Sequence, residues 1–337
     1  MAATLAEIAK RVGVHQSTVS AVLNRSRATI RVSDQTRQRI LAVARELQYR
    51  PSFSAQSLAK GRTNSLGMIC GDIHSPHFSE LASRAMQEAE ARGYHLLLSV
   101  AQWITQENNL GCLETLMGRG VDGVIAWGSG LSPQTPLYEQ ILRERFPLVL
   151  CSEQVGDLSS IDSDWHGGIG EAVEYLKRRG HDRVCFVGYR NGWHDPQHSP
   201  DPKRPAFIEA CRRHAVEPRE IYMTKLSDLE EAEAMGAAMA DARPSETAFL
   251  VYSDYTAFGF CRGLLNRGVR VPQDVSVVGM DGTRMGQYYH PALTTIAQDR
   301  ELIVAEAIDM TLRMIENQEE PGRRVILPTR LIVRESA

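Results

Sequence analysis

Nowhere in the 337 residues does an uninterrupted apolar run approach the length that crosses a bilayer, and the first residues form no apolar signal segment. Neither a membrane protein nor an exported one is expected, and the chain is assigned to the cytoplasm. Paired cysteines are lacking too. The six present, Cys70, Cys112, Cys151, Cys185, Cys211 and Cys261, are dispersed without CxxC or zinc-ligand spacing. They suit small buried hydrophobes of a reducing compartment, and no metal site is expected. Marks of phosphate binding and acyl transfer are equally missing. Residues 167–173, GGIGEAV, lack the third small residue of GxGxxG, and neither GxxxxGKS/T nor GxSxG occurs. No catalytic residue and no cofactor are therefore assigned. No repeat short enough to build a solenoid is present.

Charge is scarce only in sum. The formal net charge is -3, yet the first 63 residues hold 11 Lys+Arg against 3 Asp+Glu, which leaves 27 against 38 in the remainder. A basic head on an acidic body results, and a clustered basic segment is the electrostatic footprint of phosphate binding. The head opens with LAEIAKRVGVHQSTVSAVLN, residues 5–24, in which Leu5, Ile8, Ala9 and Val12 share one helical face and Gly13 stops the helix. A second helix follows. Val19, Val22 and Leu23 face inward, so Ser17, Ala21 and Asn24 point away from the core, with Gln16 to one side. Two short helices around a Gly-containing turn form the helix-turn-helix pattern, whose second helix enters the DNA major groove. A helical hairpin in an ordinary core has the same periodicity; the coincident basic charge favours DNA.

Ser33 caps a third helix built on Ile40, Val43, Ala44 and Leu47, which ends before Pro51 and completes a small all-α head. The polar, basic stretch RPSFSAQSLAKGRTNS reads as a linker able to hold a short helix from Ser52 to Ala59. After Leu66 the texture changes. Short apolar runs (LGMIC, YHLLLSV, VDGVIAWG, FPLVLC, RVCFVGY, IYMTKL, AFLVYSD, VSVVGMD) alternate with helical stretches, which implies parallel sheets in an α/β body large enough for two similar subdomains.

Nearly the whole chain resembles the LacI/GalR family of transcriptional regulators. The residues that carry the likeness are LAEIAKRVGVHQSTVSAVLN, RVSDQTRQRI, LQYRPS, SLAKGRTNSLGMI, RGVDGVI, LKRRGHDRVCFVG, RVPQDVSVVGMDG, PALTTIAQ and LPTRLIVRES, in that order. The resemblance implies a helix-turn-helix head (1–50), a hinge helix and linker (51–64) and a periplasmic-binding-protein-like body (65–337). The body would have two Rossmann-like lobes linked by three crossovers, one lobe about 65–163 and 295–322, the other about 164–294 and 323–337. It further implies a homodimer, probing near-palindromic operator DNA and controlled by a small effector, a sugar or related metabolite, held between the lobes. A repressor is expected. No leucine heptad follows RLIVRESA, so the tetramerising helix of some relatives is not expected.

On this likeness Gln16, Ser17 and Ala21 meet base edges, while Thr4, Thr18, Ser20, Asn24 and Arg31 complete the head's DNA-contacting set. Ala21 departs from the long polar or cationic side chain common there. The connection from Asn24 to Val32 is longer than usual, and its Arg25, Arg27 and Arg31 either reach phosphate or form a solvated loop. In the hinge, Ala55, Gln56 and Leu58 would face the minor groove, with Leu58 as a wedge between base steps; alternatively Leu58 packs against the head or body.

Ligands in open α/β sheets sit beyond the carboxyl ends of strands. Residues just after the apolar runs are accordingly the effector candidates: His74, Phe78, Trp127, Asp164, Lys203, Arg204, Asp254, Asp281 and, in the next loop, Tyr288. The resemblance carries Asp164 and Asp254 onto polar ligand contacts and Lys203 onto a cationic one, with Arg204 as its substitute; Asp281 matches a motif with a possible structural role. Ser253 and Trp165 stand where Asn is common, which implies an atypical ligand. His74, His77, His194 and His198 either line the cleft mouth or are ordinary loop histidines. Two other classes share this texture: an exported small-molecule binding protein, which would have no use for the basic head, and a nucleotide-dependent enzyme, which turnover assays would reveal.

Overall fold

The computed structural model describes residues 3–23, 32–49, 61–101, 106–190, 201–225, 228–243 and 246–337. The expected hinge helix with Ala55, Gln56 and Leu58, the loop residues Asn24, Arg25, Arg27 and Arg31, and His194 and His198 lie outside them. The chain divides into two compact units, Met1–Thr63 and Asn64–Ala337.

In the head, α1 (Leu5–Val12) starts where the Thr4 hydroxyl accepts a hydrogen bond from the Glu7 amide and stops at Gly13, whose φ of 76° an L side chain rarely adopts. Next come α2 (Gln16–Leu23) and α3 (Asp34–Glu46), the latter begun by the Ser33 hydroxyl accepting from the Thr36 amide. Ile8, Ala9, Val12, Val19, Val22, Ile40 and Ala44 make one shared core. The helical periodicity thus predicts this core well; Val43, Leu23 and Leu47 pack at its edge.

The body runs β1 (Ser65–Cys70), α4 (Pro76–Ala91), β2 (His95–Val100), α5 (Gln106–Gly118), β3 (Gly123–Trp127), α6 (Pro136–Glu144), β4 (Leu148–Cys151) and β5 (Ser159–Asp164). It continues with α7 (Trp165–Arg178), β6 (Arg183–Tyr189), α8 (Lys203–Arg213), β7 (Glu217–Met223), α9 (Leu229–Ala242), β8 (Ala248–Val251) and α10 (Asp254–Asn266). Last are β9 (Ser276–Asp281), α11 (Met285–Tyr288), β10 (Thr294–Gln298), α12 (Arg300–Ile315) and β11 (Arg324–Ile332). The strands follow one hydrogen-bonded order, β2-β1-β3-β4-β5-β11-β10-β9-β8-β6-β7.

That order contains two lobes. Residues 324–328 of β11 pair parallel with β5 in the first lobe, whereas 329–332 pair antiparallel with β10 in the second. The chain crosses at three places: from β5 into α7, from β10 into α12, and within β11. Helix α7 belongs to the second lobe's core through Trp165, Ile169, Val173 and Leu176. Helix α12 belongs to the first through Ile303, Val304, Ala307 and Ile308. The expected bounds therefore shift: β10 pairs with β9 and stays in the second lobe, so the return falls at Asp299 rather than 295, and the final crossing falls at 328 rather than 322.

Three strands escape the apolar-run criterion. Strand β5, SSIDSD, is polar yet largely buried, because Ser163 Oγ donates to Gln298 Oε1 (2.9 Å) and Ser159 Oγ accepts from the Gly322 amide (3.0 Å). Strands β10 and β11 carry Thr and alternating polar residues. Strand β7 begins at Glu217, four residues before the run IYMTKL, since an edge strand with one solvated side needs no continuous apolar stretch.

Helices α9 and α10 meet through glycines. A Cβ at Gly263 would lie 2.0 Å from the Glu233 carbonyl oxygen, and one at Gly236 would lie 2.1 Å from that of Phe260. Backbone touches backbone here. Gly263→Ala should lower stability by about 2 kcal/mol or more, because overpacking exceeds the gain of up to ~1 kcal/mol in helix propensity. Urea unfolding would show a lower midpoint; an unchanged one would mean that the helices separate freely.

Candidate functional site

His15 begins α2: its carbonyl accepts from the Thr18 (3.0 Å) and Val19 (3.3 Å) amides, and its ring Nδ1 accepts from the Ser17 amide (3.3 Å). The same Nδ1 lies 2.8 Å from Ser17 Oγ. Gln16 and Ser17 are exposed, Thr18, Ser20 and Ala21 half-buried, and Val19 and Val22 buried. The outward face is small and uncharged, as its periodicity implies. Thr4 is occupied in capping α1.

In the body, polar side chains from both lobes converge where the chain crosses. Lys203, at the start of α8, is only 7% exposed. Its Nζ donates to the Tyr252 carbonyl (2.9 Å) and sits 3.8 Å from the Tyr252 ring and 4.4 Å from the Trp165 ring. An ammonium so enclosed is stabilised by the ring faces. Burial lowers its pKa, while Asp281, Asp201 and Asp254 oppose the shift.

Asp281 ends β9 with φ 108°, a conformation that strains any residue with a Cβ. The surroundings hold it there. Gln298 Nε2 donates to its Oδ1 (3.1 Å), the Gly282 amide donates to Thr295 Oγ1 (3.1 Å), and Arg300 of the first lobe donates to the carbonyls of Asp281 and Gly282. Arg300 also pairs with Glu80 (2.9 Å), whose other oxygen accepts from the Arg284 amide (3.0 Å). First-lobe side chains thus hold a second-lobe loop. Opposite Asp281 stands His77 of α4, 8% exposed, with Nδ1 4.0 Å from Asp281 Oδ1 and without a hydrogen-bond partner. Burial lowers the His77 pKa; Asp281 and Glu80 act against that shift, Arg300 and Lys203 with it.

Of the effector candidates, the junction brings Lys203 and Asp281 together. Asp254 lies behind them, wholly buried, its Oδ2 accepting from the Thr283 amide (2.6 Å) and hydroxyl (2.8 Å) and its Oδ1 from Thr295 Oγ1 (2.5 Å). Burial and Asp281 raise its pKa to about 7 against those hydrogen bonds. Its oxygens brace the loop from within. Arg204 turns away to Glu220 (3.1 Å) and Tyr222 (3.1 Å). Phe78 and Trp127 are buried in the first lobe's core, and Phe78 meets His77 edge-on at 4.9 Å. Asp164 caps α7 through the His166 amide (3.0 Å) and remains half-exposed. His74 is an exposed loop residue bonded to Asp72, and Tyr288 is 71% exposed. Gln298, Arg300, Glu80 and Tyr252 were not foreseen. Counting TTIAQ among the strands would have directed attention to the first two.

Residues 4–52 match a family model described as bacterial regulatory proteins, lacI family, and residues 173–337 match a periplasmic binding protein-like domain. The HTH-type transcriptional regulator DegA of Bacillus subtilis is 30% identical over 345 residues, covering 100% of this chain and 98% of the relative. The HTH-type transcriptional repressor PurR of Proteus mirabilis is 30% identical over 355 residues, covering 99% and 96%. Among solved structures, a Lac repressor dimer bound to operator and the anti-inducer ONPF superposes with a TM-score of 0.85 at 25% identity, covering 100% and 99%.

The chain belongs to the LacI family. It is a DNA-binding transcriptional regulator whose body is a periplasmic-binding-protein-like ligand domain. Membership matches the small, outward face of α2 and the lobes joined by three crossings. Among the described residues no helix is long and apolar enough to cross a membrane, and no group of three His, Cys, Asp or Glu side chains is placed to hold a metal ion.

His77 has a pH signature within this LacI-family body. A histidine whose folded pKa is lowered takes up its proton more readily when unfolded, so stability is full above the ordinary value near 6.5 and falls as pH drops below it. His181, also lowered by burial, acts in the same direction. In His77→Phe the loss of stability between pH 7.5 and 5.5 should be smaller than in the wild type. Denaturant titrations at both pH values measure it, and an equal loss would assign the dependence to other groups.

Proposed function

We propose that the lobe junction binds a neutral polyhydroxylated metabolite, a sugar or close relative, and that this effector controls operator binding by a homodimeric cytoplasmic repressor without turning the ligand over. The observation that carries the class is the pairing of charge. Arg300 pairs with Glu80, Lys203 faces Asp281, and the Asp254 carboxylate is bonded by hydroxyls and an amide. Each of the two cations, Arg300 and Lys203, has a carboxylate opposite it, so neither is left unmatched to hold an anionic ligand, while His77 Nδ1 and the unbonded side of Asp281 suit hydroxyls. A LacI family regulator from Arthrobacter sp. FB24, 25% identical with a TM-score of 0.70, is solved with lactose, which supports the sugar class.

In this reading Asp281, Lys203 and His77 contact the effector and Asp254 supports them. Gln16, Ser17 and Ala21 read bases, Thr18 and Ser20 fix register on phosphates, and residues 51–64 form the hinge in which Leu58 enters the minor groove. Exposed Met86 (57%) on α4 and Leu98 (42%) and Val100 (38%) on the edge strand β2 supply an apolar face for the second copy.

A thermal-shift screen of lactose, cellobiose, D-xylulose, sugar phosphates, sugar acids and hypoxanthine tests the effector class. A ligand at 100 times its Kd stabilises by about 2.7 kcal/mol. A neutral sugar should do so, and Asp281→Asn should weaken it about ten- to hundredfold, the equivalent of a charge-assisted hydrogen bond of about 1.5–3 kcal/mol. Binding confined to anionic ligands, or unchanged in Asp281→Asn, would overturn this assignment.

A further inference from the structure

The start of α2 holds a constraint on how Ser17 reads DNA. Residue 15 is a histidine whose Nδ1 meets two groups of Ser17, the amide at 3.3 Å and Oγ at 2.8 Å. The amide can only donate, so Nδ1 must offer its lone pair and the ring proton resides on Nε2. Given that lone pair, the contact with Ser17 Oγ requires the hydroxyl to donate as well. The Ser17 proton is thereby committed inside the protein.

We propose that His15 makes Ser17 an acceptor-only reader, so that Ser17 selects a base presenting an amino group in the major groove, adenine or cytosine, and disfavours guanine and thymine. A free serine hydroxyl donates or accepts and serves several bases; this one has only lone pairs to present. Adenine N6 and cytosine N4 donate in the major groove, whereas the edges of guanine and thymine present acceptors there. His15 is a positioning residue: it acts through Ser17 and sets the direction of one hydrogen bond. The inference rests on α2 docking in the major groove, as proposed above. It extends that reading by specifying which partner Ser17 accepts.

The test is selection from a duplex pool with randomised half-sites, performed with full-length wild type, Ser17→Ala, His15→Gly, His15→Asp and Gln16→Ala. Ser17→Ala identifies the position that Ser17 reads by flattening its preference. There the wild type should favour adenine or cytosine about five- to tenfold over guanine and thymine, the effect of one net hydrogen bond. Glycine starts a helix nearly as well as the usual capping residues but offers no side-chain acceptor. His15→Gly should release the hydroxyl and admit guanine and thymine at that position alone, with preferences elsewhere unchanged as proof of a folded head. Aspartate accepts and never donates when ionised, so His15→Asp should restore the amino-base preference. A role in capping alone would change affinity at every position and base identity at none. Guanine or thymine chosen by the wild type at the Ser17 position overturns the proposal, as does a preference that His15→Gly leaves intact. If Gln16→Ala shifts a neighbouring base pair while Ser17→Ala shifts none, docking stands and the role given to Ser17 falls; if neither shifts any, docking itself falls.

Discussion

A single strand belongs to both halves of the ligand domain. The first part of β11 completes the first lobe's sheet in parallel and the second part completes the other in antiparallel, so neither lobe closes its sheet without the other. Where the strand changes partner, side chains take over the main-chain bonding. Thr329 Oγ1 accepts from the Gly168 amide (3.1 Å) and donates to the Asp164 carbonyl (2.6 Å). Gly168 is required at that spot, since a Cβ there would stand 2.5 Å from the same Thr329 oxygen and 2.4 Å from Ile296. A polar belt at the crossings follows from the topology, because buried main-chain groups left without partners would each cost roughly 1–3 kcal/mol.

That belt also links the lobes through side chains. Ser163 donates to Gln298 and Gln298 donates to Asp281, so a crossing strand, a return strand and the strained end of β9 form one chain of hydrogen bonds across the lobes. Arg300 and Glu80 reach across in the opposite direction. A ligand changes the balance between lobe arrangements only by as much as it binds them differently. His77 comes from one lobe and Asp281 from the other, so a ligand bound between them, as proposed, would have leverage on that arrangement that one held by a single lobe would not.

Legibility in the sequence followed how each residue is stabilised. The head's core was readable because helical periodicity alone specifies Ile8, Val12, Val19 and Ile40. Most body strands were readable because a parallel sheet covered on both faces needs continuous apolar runs. SSIDSD was not, because its burial is balanced by hydrogen bonds to residues more than 130 positions away, which no local pattern reveals. At the junction, position after a strand pointed to Lys203 and Asp281, which the fold brings near each other. It did not reveal the internal bonding of Asp254, since an aspartate opening a helix behind a strand looks the same whether its carboxylate faces a ligand or three internal donors.

Charge counting in the head needs a similar refinement. The excess of basic residues there measures long-range attraction to DNA, yet Arg11 is paired with Glu46 (2.6 Å) and Arg39 bonds the Val12 carbonyl (3.2 Å), so part of that charge also holds the three helices together. Helix α2 itself, QSTVSAVL, carries none. If α2 reads bases as proposed, affinity and discrimination fall to different residues: the phosphate-directed charge would come from outside this helix, while the helix would contribute hydrogen-bond direction and close approach. A helix without charge gains little from a wrong sequence, because phosphates are the same at every site and only base edges differ. Its small side chains would then need a fixed orientation to discriminate at all, and at Ser17 the contacts with the His15 ring provide one.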